Sequence, residues 1–234
     1  MASENSGREP FSVKDCSLVA LATGQKAQNL KELREGLLRV HRGSIYYHFW
    51  GGLLRPKFDD PQFHNDFAIW SHYALHDDIL AERLAVIDPT AYDNLDLLRQ
   101  EVVEIIEERL EDVERPVWVP VDLQFHFIRS QIVVFDTSRR IERPEDLREA
   151  VPKMPVGCIF YHFIDARRRP PIGLDDFRAW LEGFGDTYEE LCSLLASVDP
   201  YFVTLKELRG QLADIFDGYF GEVDVWGQFA TMHP

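Results

Sequence analysis

A tyrosine followed directly by a histidine occurs at two places in the chain, as Tyr47 with His48 and as Tyr161 with His162. Histidine changes charge near neutral pH, so each imidazole could act as an acid–base or ligand-binding group. Alternatively, the tyrosines and histidines are hydrogen-bonded inside the core. Their occurrence in two copies favours this structural interpretation, because one fold needs the same packing twice, whereas a single active site needs its residues once. These four residues are the candidates for catalysis.

Two further histidines, His72 and His76, have the spacing of a metal-binding pair. Residues four apart on a predicted helix share one face, and such a face can hold a metal where carboxylates converge. Asp77 after His76 also resembles the His-Asp doublet of metal-dependent phosphohydrolases, but the remainder of that pattern is not found in the sequence. A polar, partly exposed helix face is therefore favoured, and neither a metal nor another cofactor is expected.

The segment "DARRRPP" forms a basic cluster in an acidic protein. Its arginines, together with the arginine that precedes Pro56, are the candidate ligand-binding residues: Arg55, Arg167, Arg168 and Arg169. An anion or an acidic partner could bind such guanidinium groups. Ion pairs with Asp175, Asp176 or the acidic helices are the favoured alternative. The sequence contains no phosphate-binding glycine loop, nucleophile elbow or Cys-x-x-Cys motif.

The chain resembles itself when it is shifted by 114 positions, which places "GSIYYHF" over "GCIFYHF". From Phe11 to Pro56, 13 of 46 positions are identical to their counterparts. The match continues, with small gaps, from "NDFAIW" to "DDFRAW". We therefore predict two homologous repeats, at 11–114 and 125–222. An extended, proline-containing connector at 115–124 is predicted to join them. The ends of the chain are predicted to be a disordered N-terminal tail at 1–10 and a C-terminal tail at 223–234.

Each repeat is predicted to be mostly helical with one short β-hairpin, whose two-residue turn is Thr23–Gly24 in one copy and Thr137–Ser138 in the other. Aspartates are predicted to cap the helices at "DFAIW" and "DFRAW". The aromatic residues of these helices are expected to be core anchors: Phe67, Trp70, Phe177 and Trp180. The predicted fold is mostly α (α+β), with the two tandem units related by a pseudo-twofold axis.

Helix signals are clearest at two other places. Asn29 is a predicted N-cap, followed by a helix with Leu30, Leu33 and Leu37 on one face. Thr204 and Glu207 form a predicted capping box in front of "LKELRGQLADIFDGYF".

Composition excludes several classes of protein. With 45% hydrophobic and 12% aromatic residues, the chain of 234 residues has enough apolar side chains for a globular core. The net charge of −15 argues against a nucleic-acid partner, and no apolar run has the length of a membrane helix. No signal peptide is recognised, and three scattered cysteines suit a reducing compartment. A cytoplasmic protein is predicted.

The sequence resembles an uncharacterised bacterial and archaeal family, a domain of unknown function. The resemblance rests on the segment "FSVKDCSLVALATGQKAQNLKELREGLLRVHRGSIYYHFWGGLLRP", on "NDFAIW" and on the second "YHF…DDF…W" block. The resemblance covers nearly the whole chain after residue 10. It implies a prokaryotic protein but no activity, because no chemistry is assigned to the family. Each half is also loosely similar to small modules that occur beside signalling or enzyme domains, which implies an accessory role.

Two functions follow as expectations. The leading one is a non-enzymatic cytoplasmic accessory protein that recognises a protein partner or a small ligand. The alternative is a small-molecule enzyme, such as a hydrolase, that uses His48 or His162 in a groove between the repeats. The sequence does not specify the oligomeric state.

Overall fold

The computed structural model describes residues 9–54, 63–112, 117–171 and 173–221, and the backbone of 222–232. Most of these residues are helical, and two strands, β1 (Phe11–Ala27) and β2 (Phe125–Ile141), form a two-stranded antiparallel sheet. The predicted mostly helical α+β class is therefore confirmed. None of the described helices has the length and apolar character that crossing a membrane requires.

The predicted hairpins are wrong, because each strand runs for 17 residues through its supposed turn. The favoured two-residue turns need a positive φ at both central residues, or at the first of them. Here only the second residue of each pair has one, with φ of 77° at Gly24 and 60° at Ser138. A single left-handed residue inside a strand produces a local kink of the kind found at β-bulges, and the strand then continues.

The threonine before each of these residues bonds to the opposite strand. The Thr23 hydroxyl donates to the carbonyl of Phe127 (2.6 Å), and the Thr137 hydroxyl donates to the carbonyl of Val13 (2.6 Å). The retained threonines therefore pair one strand with the other, where the sequence predicted two separate hairpins.

The chain divides into two compact units, which we call the central unit (Ser17–Val133) and the terminal unit (Met1–Cys16 with Val134–Pro234). Each unit contains one stretch of β1 and one stretch of β2. A compact unit therefore combines strand residues from both halves of the sequence, and its limits differ from those of the predicted repeats.

The central unit contains α1 (Leu30–Arg39), α2 (Arg42–Trp50), α3 (Asp66–Tyr73), α4 (Asp78–Ala85) and α5 (Leu95–Asp112). Asn29 caps α1 by accepting from the Glu32 amide, and α1 buries Leu30, Leu33 and Leu37 as predicted. Every residue of α2 from Ser44 to Trp50 is buried. Helix α5 packs against α1, α2 and α4. The aromatic helix α2 is thus enclosed by its own unit, as expected for a helix that is apolar on all sides.

The terminal unit contains α6 (Leu147–Ala150), α7 (Val156–Ile159), α8 (Asp176–Glu182), α9 (Glu189–Ala196) and α10 (Leu205–Met232). After α7 the chain continues as a π-helical turn, Phe160–Ile164, and a 3-10 turn, Asp165–Arg168. The π-helical turn is fully buried and carries Tyr161 and His162. Helix α10 packs against α6, α7 and α9. The second aromatic stretch therefore also lies in the core of its unit.

Candidate functional site

His48 lies on α2 with only 3% of its surface exposed. Its Nε2 accepts a hydrogen bond from the backbone N–H of Ile128 (3.1 Å), and its Nδ1 lies 2.9 Å from Oδ2 of Asp66. A nitrogen that accepts a hydrogen bond carries no proton, so the proton of the neutral ring is on Nδ1 and is donated to the carboxylate. Both ring nitrogens of His48 are therefore bonded inside the central unit.

His162 has the same arrangement in the terminal unit. Its Nε2 accepts from the backbone N–H of Lys14 (2.8 Å), and its Nδ1 lies 2.7 Å from Oδ2 of Asp176. The ring packs against Phe11, with centroids 4.8 Å apart, as the ring of His48 packs against Phe125 at 4.7 Å. The two histidines thus occupy closely similar environments.

This bonding limits the chemistry of both histidines. A general base needs a ring nitrogen that can reach the proton of a substrate. In each ring Nε2 is occupied by a backbone amide and Nδ1 by a carboxylate. Proton transfer at either ring would first require one of these hydrogen bonds to break.

Sequence reasoning missed the bonds of two aspartates, Asp66 and Asp176, to the histidines. Asp66 and Asp176 were predicted as helix caps, but the caps are Asn65, which accepts from the Ala68 amide, and Asp175, which accepts from the Arg178 amide. Asp66 and Asp176 occupy the first helical position, from which their carboxylates reach the histidines. Both aspartates occur at equivalent positions of the aligned motifs, which indicates a shared role. The sequence interpretation took that role to be helix capping, because aspartate is a common N-cap residue.

Arg169 makes its contacts inside the terminal unit. Its guanidinium donates to the Tyr161 hydroxyl (3.2 Å), to the Tyr161 carbonyl (3.0 Å) and to Asp176 Oδ2 (3.0 Å). The guanidinium carbon lies 4.2 Å from the centroid of the Tyr161 ring. Burial acts to raise the pKa of Asp176, but the hydrogen bond from His162 and the charge of Arg169 outweigh it and lower that pKa below its usual value. Tyr161, His162, Arg169 and Asp176 therefore form one connected polar cluster.

The two other candidate arginines that the structure describes, Arg167 and Arg168, are both partly buried. The guanidinium of Arg167 lies 3.6 Å from the Asp175 carboxylate and 4.3 Å from the centroid of the Phe163 ring. Arg55 lies outside the described residues.

His72 and His76 do not share a helix face, because α3 ends at Tyr73. Nδ1 of His72 lies 2.6 Å from Oδ1 of Asp78, whereas His76 follows the helix with a positive φ of 55°. The predicted i, i+4 pair is thus wrong in its geometry. Within the described residues, no group of three or more His, Cys, Asp or Glu side chains is placed to hold a metal ion.

A cleft of about 390 Å³ opens beside Asp66 in the central unit. His126, whose side chain is exposed, lies at this cleft. The aromatic residues that line it are Tyr47, Trp70, Tyr73 and Phe125. Such a combination of aromatic faces with a few polar groups is typical of a binding cleft. Tyr47 and His48, identified from the sequence, belong to this cleft, whereas His126 was not singled out.

These observations define a class: a mostly helical α+β protein in which each of two units holds a buried histidine between an aspartate and a strand amide. The model of a family of unknown function, DUF5752, matches residues 8–217. The chain therefore belongs to this family, and the predicted membership of an uncharacterised family is confirmed.

The fold is similar to that of a solved structure, OrfY from Thermoproteus tenax. The two chains are 25% identical, with a TM-score of 0.75, and the similarity covers 90% of this chain and 95% of OrfY. No curated protein matches the sequence.

Proposed function

We propose that this protein acts by binding and not by catalysis, as a cytoplasmic accessory protein whose central unit recognises a protein partner. One observation carries the proposal: both ring nitrogens of His48 and of His162 are hydrogen-bonded inside the protein. A reactive histidine would require the opposite arrangement, with an accessible nitrogen. The net charge of −15 disfavours nucleic acid as the partner, and the free cysteines suit a reducing compartment.

An exposed apolar segment beside the cleft supports a protein as the ligand. Trp118 is 61% exposed, Val121 71% and Leu123 43%. Leu123 also lines the cleft, and its carbonyl accepts a hydrogen bond from the Trp70 indole (2.7 Å). Exposed apolar patches mark interaction surfaces, and tryptophan is enriched among the residues that dominate binding energy. The segment 117–123 and the adjoining cleft are therefore the proposed recognition surface.

The test combines affinity capture with a matched pair of variants. Capture from extracts of the source cells identifies candidate partners, and each purified candidate is then titrated calorimetrically. Trp118→Ala should weaken binding at least tenfold, because a tryptophan anchor is lost. Val86→Ala, at a residue of the same unit that is 76% exposed, should bind as the parent does. Equal affinities of the parent and Trp118→Ala would reject this surface.

A small-molecule hydrolase is the second candidate, and one observation favours it. The exposed imidazole of His126 lies at the same cleft as Asp66, so a base and a carboxylate face one space. A panel of p-nitrophenyl esters and phosphates tests this alternative. Turnover that His126→Gln abolishes, while folding is unchanged, would favour the enzyme over the binding protein.

We also propose that the two sequence repeats, 11–114 and 125–222, descend from one duplicated segment. Equivalent hydrogen bonds support this, since His48 with Ile128 corresponds to His162 with Lys14 under the shift of 114 positions found in the sequence. The Trp70 bond to the Leu123 carbonyl likewise corresponds to that of Trp180 to the Glu9 carbonyl. Structures of shorter homologues carrying a single repeat, paired as dimers through their strands, would test the proposal.

A further inference from the structure

A second cavity, of about 370 Å³, lies in the central unit away from His48. It is bounded by the start of α1, the connection between α3 and α4, and the last turns of α5. Its apolar walls are Leu30, Leu75, Ile79, Leu110 and Val117. A cavity of about 150 Å³ lined by apolar side chains holds one benzene molecule, so this one has room for about two fused aromatic rings.

The polar side of the cavity is built around Arg109. The Nε of Arg109 donates to Oδ2 of Asp77 (2.8 Å), while Oδ1 of Asp77 accepts from the Leu80 amide as the cap of α4 (3.1 Å). Both Asp77 oxygens are thus occupied, and the guanidinium is fixed in place. The Nη1 atom lies 4.0 Å from Asp112, beyond hydrogen-bond distance. Among the described residues, the Nη groups of Arg109 make no hydrogen bond, so their N–H groups can donate to a ligand.

The backbone at the cavity is strained at His76, which has a φ of 55°. Left-handed conformations are uncommon for residues other than glycine and cluster at ligand sites. His76 lines the same cavity as Arg109, so its imidazole adds a second polar side chain to the lining. The cavity therefore has an apolar body and one polar end.

The charges of the polar end determine the class of ligand. One cation, Arg109, faces two carboxylates, Asp77 and Asp78, so the lining has an excess of negative charge. An anionic head group would be repelled by this excess and by the net charge of the chain, −15. A neutral acceptor such as a carbonyl oxygen can accept from Arg109 without that penalty.

We propose that this cavity binds a neutral, largely apolar molecule of about two fused rings, which carries one hydrogen-bond acceptor directed at Arg109. The cavity meets the proposed recognition surface at Val117, but it shares neither Asp66 nor His48 with the cleft. Binding of a small-molecule ligand is measured without a protein partner, so the two proposals can fail separately. The ligand class follows from the volume, the apolar walls and the donor at one end.

The probe for the test is 2-acetylnaphthalene, a neutral two-ring ketone, with 2-naphthoate as its anionic counterpart. Titration of the full chain, followed by naphthalene fluorescence and calorimetry, should show saturable one-site binding of the ketone and at least tenfold weaker binding of the carboxylate. Tighter binding of the carboxylate, or no saturable binding of the ketone, would overturn the proposal.

Two variants locate the binding. Val117→Trp narrows the cavity at an exposed residue and should weaken ketone binding at least tenfold, whereas Val86→Trp, the same change elsewhere on the unit, should not. Arg109→Lys keeps the positive charge opposite Asp77 but removes the Nη groups that would donate to the ligand. It should weaken binding of the ketone several-fold. Its control is Arg83→Lys, at the exposed ion pair of Arg83 with Glu108. Unchanged affinity in Val117→Trp would place the probe elsewhere and reject the site.

Discussion

The Nε2 atom of His162 accepts a hydrogen bond from the backbone N–H of Lys14, 148 positions earlier in the chain. The bond holds the start of β1 against the aromatic core of the terminal unit, and the bond of His48 to Ile128 does the same for β2 in the central unit. In each unit one imidazole therefore connects a strand amide to a helix carboxylate.

We expect His48→Gln and His162→Gln to lower the free energy of unfolding by similar amounts, about 1–3 kcal/mol each. Each change removes the imidazole to which a strand amide and a helix carboxylate are bonded. Chemical denaturation measures the loss, and His126→Gln at an exposed position is the control, with a change below about 0.5 kcal/mol. Strongly unequal losses, with none at one histidine, would contradict a shared structural role.

Asp176 predicts a dependence of stability on pH. Burial raises its pKa, but the hydrogen bond from His162 and the charge of Arg169 prevail, and the net pKa is lowered. A carboxyl group with a lower pKa in the folded chain stabilises the fold above its unfolded pKa, and this contribution is lost as the pH falls through the folded value. Stability should therefore decrease below about pH 4.

The variant Asp176→Asn isolates this contribution. It should be less stable than the parent at pH 7 and should lose less stability between pH 6 and pH 3, as measured by urea denaturation at each pH. Asp112→Asn removes an exposed carboxylate and should keep the parent's acid dependence. An acid dependence in Asp176→Asn as steep as the parent's would assign the effect to other groups.

The retained glycines of the two aromatic stretches differ in their surroundings. A Cβ atom on Gly157 would lie 2.6 Å from the backbone carbonyl oxygen of Cys16, whereas on Gly43 the nearest atom would be a side-chain nitrogen of His41, at 3.1 Å. A backbone atom cannot move aside as a side chain can. We expect Gly157→Ala to lose about 1–3 kcal/mol of stability and Gly43→Ala less than about 1 kcal/mol. Equal losses in thermal melts would contradict this difference.

The local helix signals were predictable from the sequence, since caps and apolar faces depend on neighbouring residues. Asn29 caps α1, and Thr204 with Glu207 forms the capping box of α10 through reciprocal hydrogen bonds. The strands were not, because pairing β1 with β2 joins residues more than 100 positions apart. A local apolar pattern around Thr23–Gly24 is the same for a hairpin and for a continuous strand.

The site was predictable in part. Repetition of the Tyr-His pairs identified His48 and His162 but not the aspartates that bond to them. An aspartate at the start of a helix can either cap that helix or bond to another side chain, and the sequence does not distinguish the two. Whether His76 shares a helix face with His72 depends on where α3 ends. The end of a helix is set by tertiary contacts, which the periodicity of the sequence does not show.

The cysteines should differ in reactivity. Burial raises the pKa of Cys16 and of Cys158 to about 12, with nearby aspartates adding to the effect. At pH 8 roughly one thiol in ten thousand would then be ionised, and only the thiolate reacts with alkylating reagents. Iodoacetamide should modify the partly exposed Cys192 first, and all three in denaturant, as read by mass spectrometry. Modification of Cys16 before Cys192 in the folded protein would contradict the burial.

The two tryptophans that donate to strand-entry carbonyls should differ in their contribution to stability. Trp70 is 7% exposed, and its indole donates to the Leu123 carbonyl at 2.7 Å. Trp180 was expected to be a core anchor as well, but it is partly exposed, and its bond to the Glu9 carbonyl is longer, 3.1 Å. The terminal unit therefore encloses its tryptophan less completely.

We accordingly expect Trp70→Ala to lose about 3–5 kcal/mol, the cost of a large cavity with a lost hydrogen bond. Trp180→Ala should lose clearly less, because water can fill part of the space that its ring leaves. The phenylalanine variants serve as controls, since Trp70→Phe and Trp180→Phe keep most of the ring contacts but remove the indole N–H. If both phenylalanine variants lose a similar, small amount of stability while the alanine variants lose unequal amounts, the difference between Trp70 and Trp180 is due to burial. A loss below about 1 kcal/mol for Trp70→Ala in chemical denaturation would show that Trp70 is not a core residue.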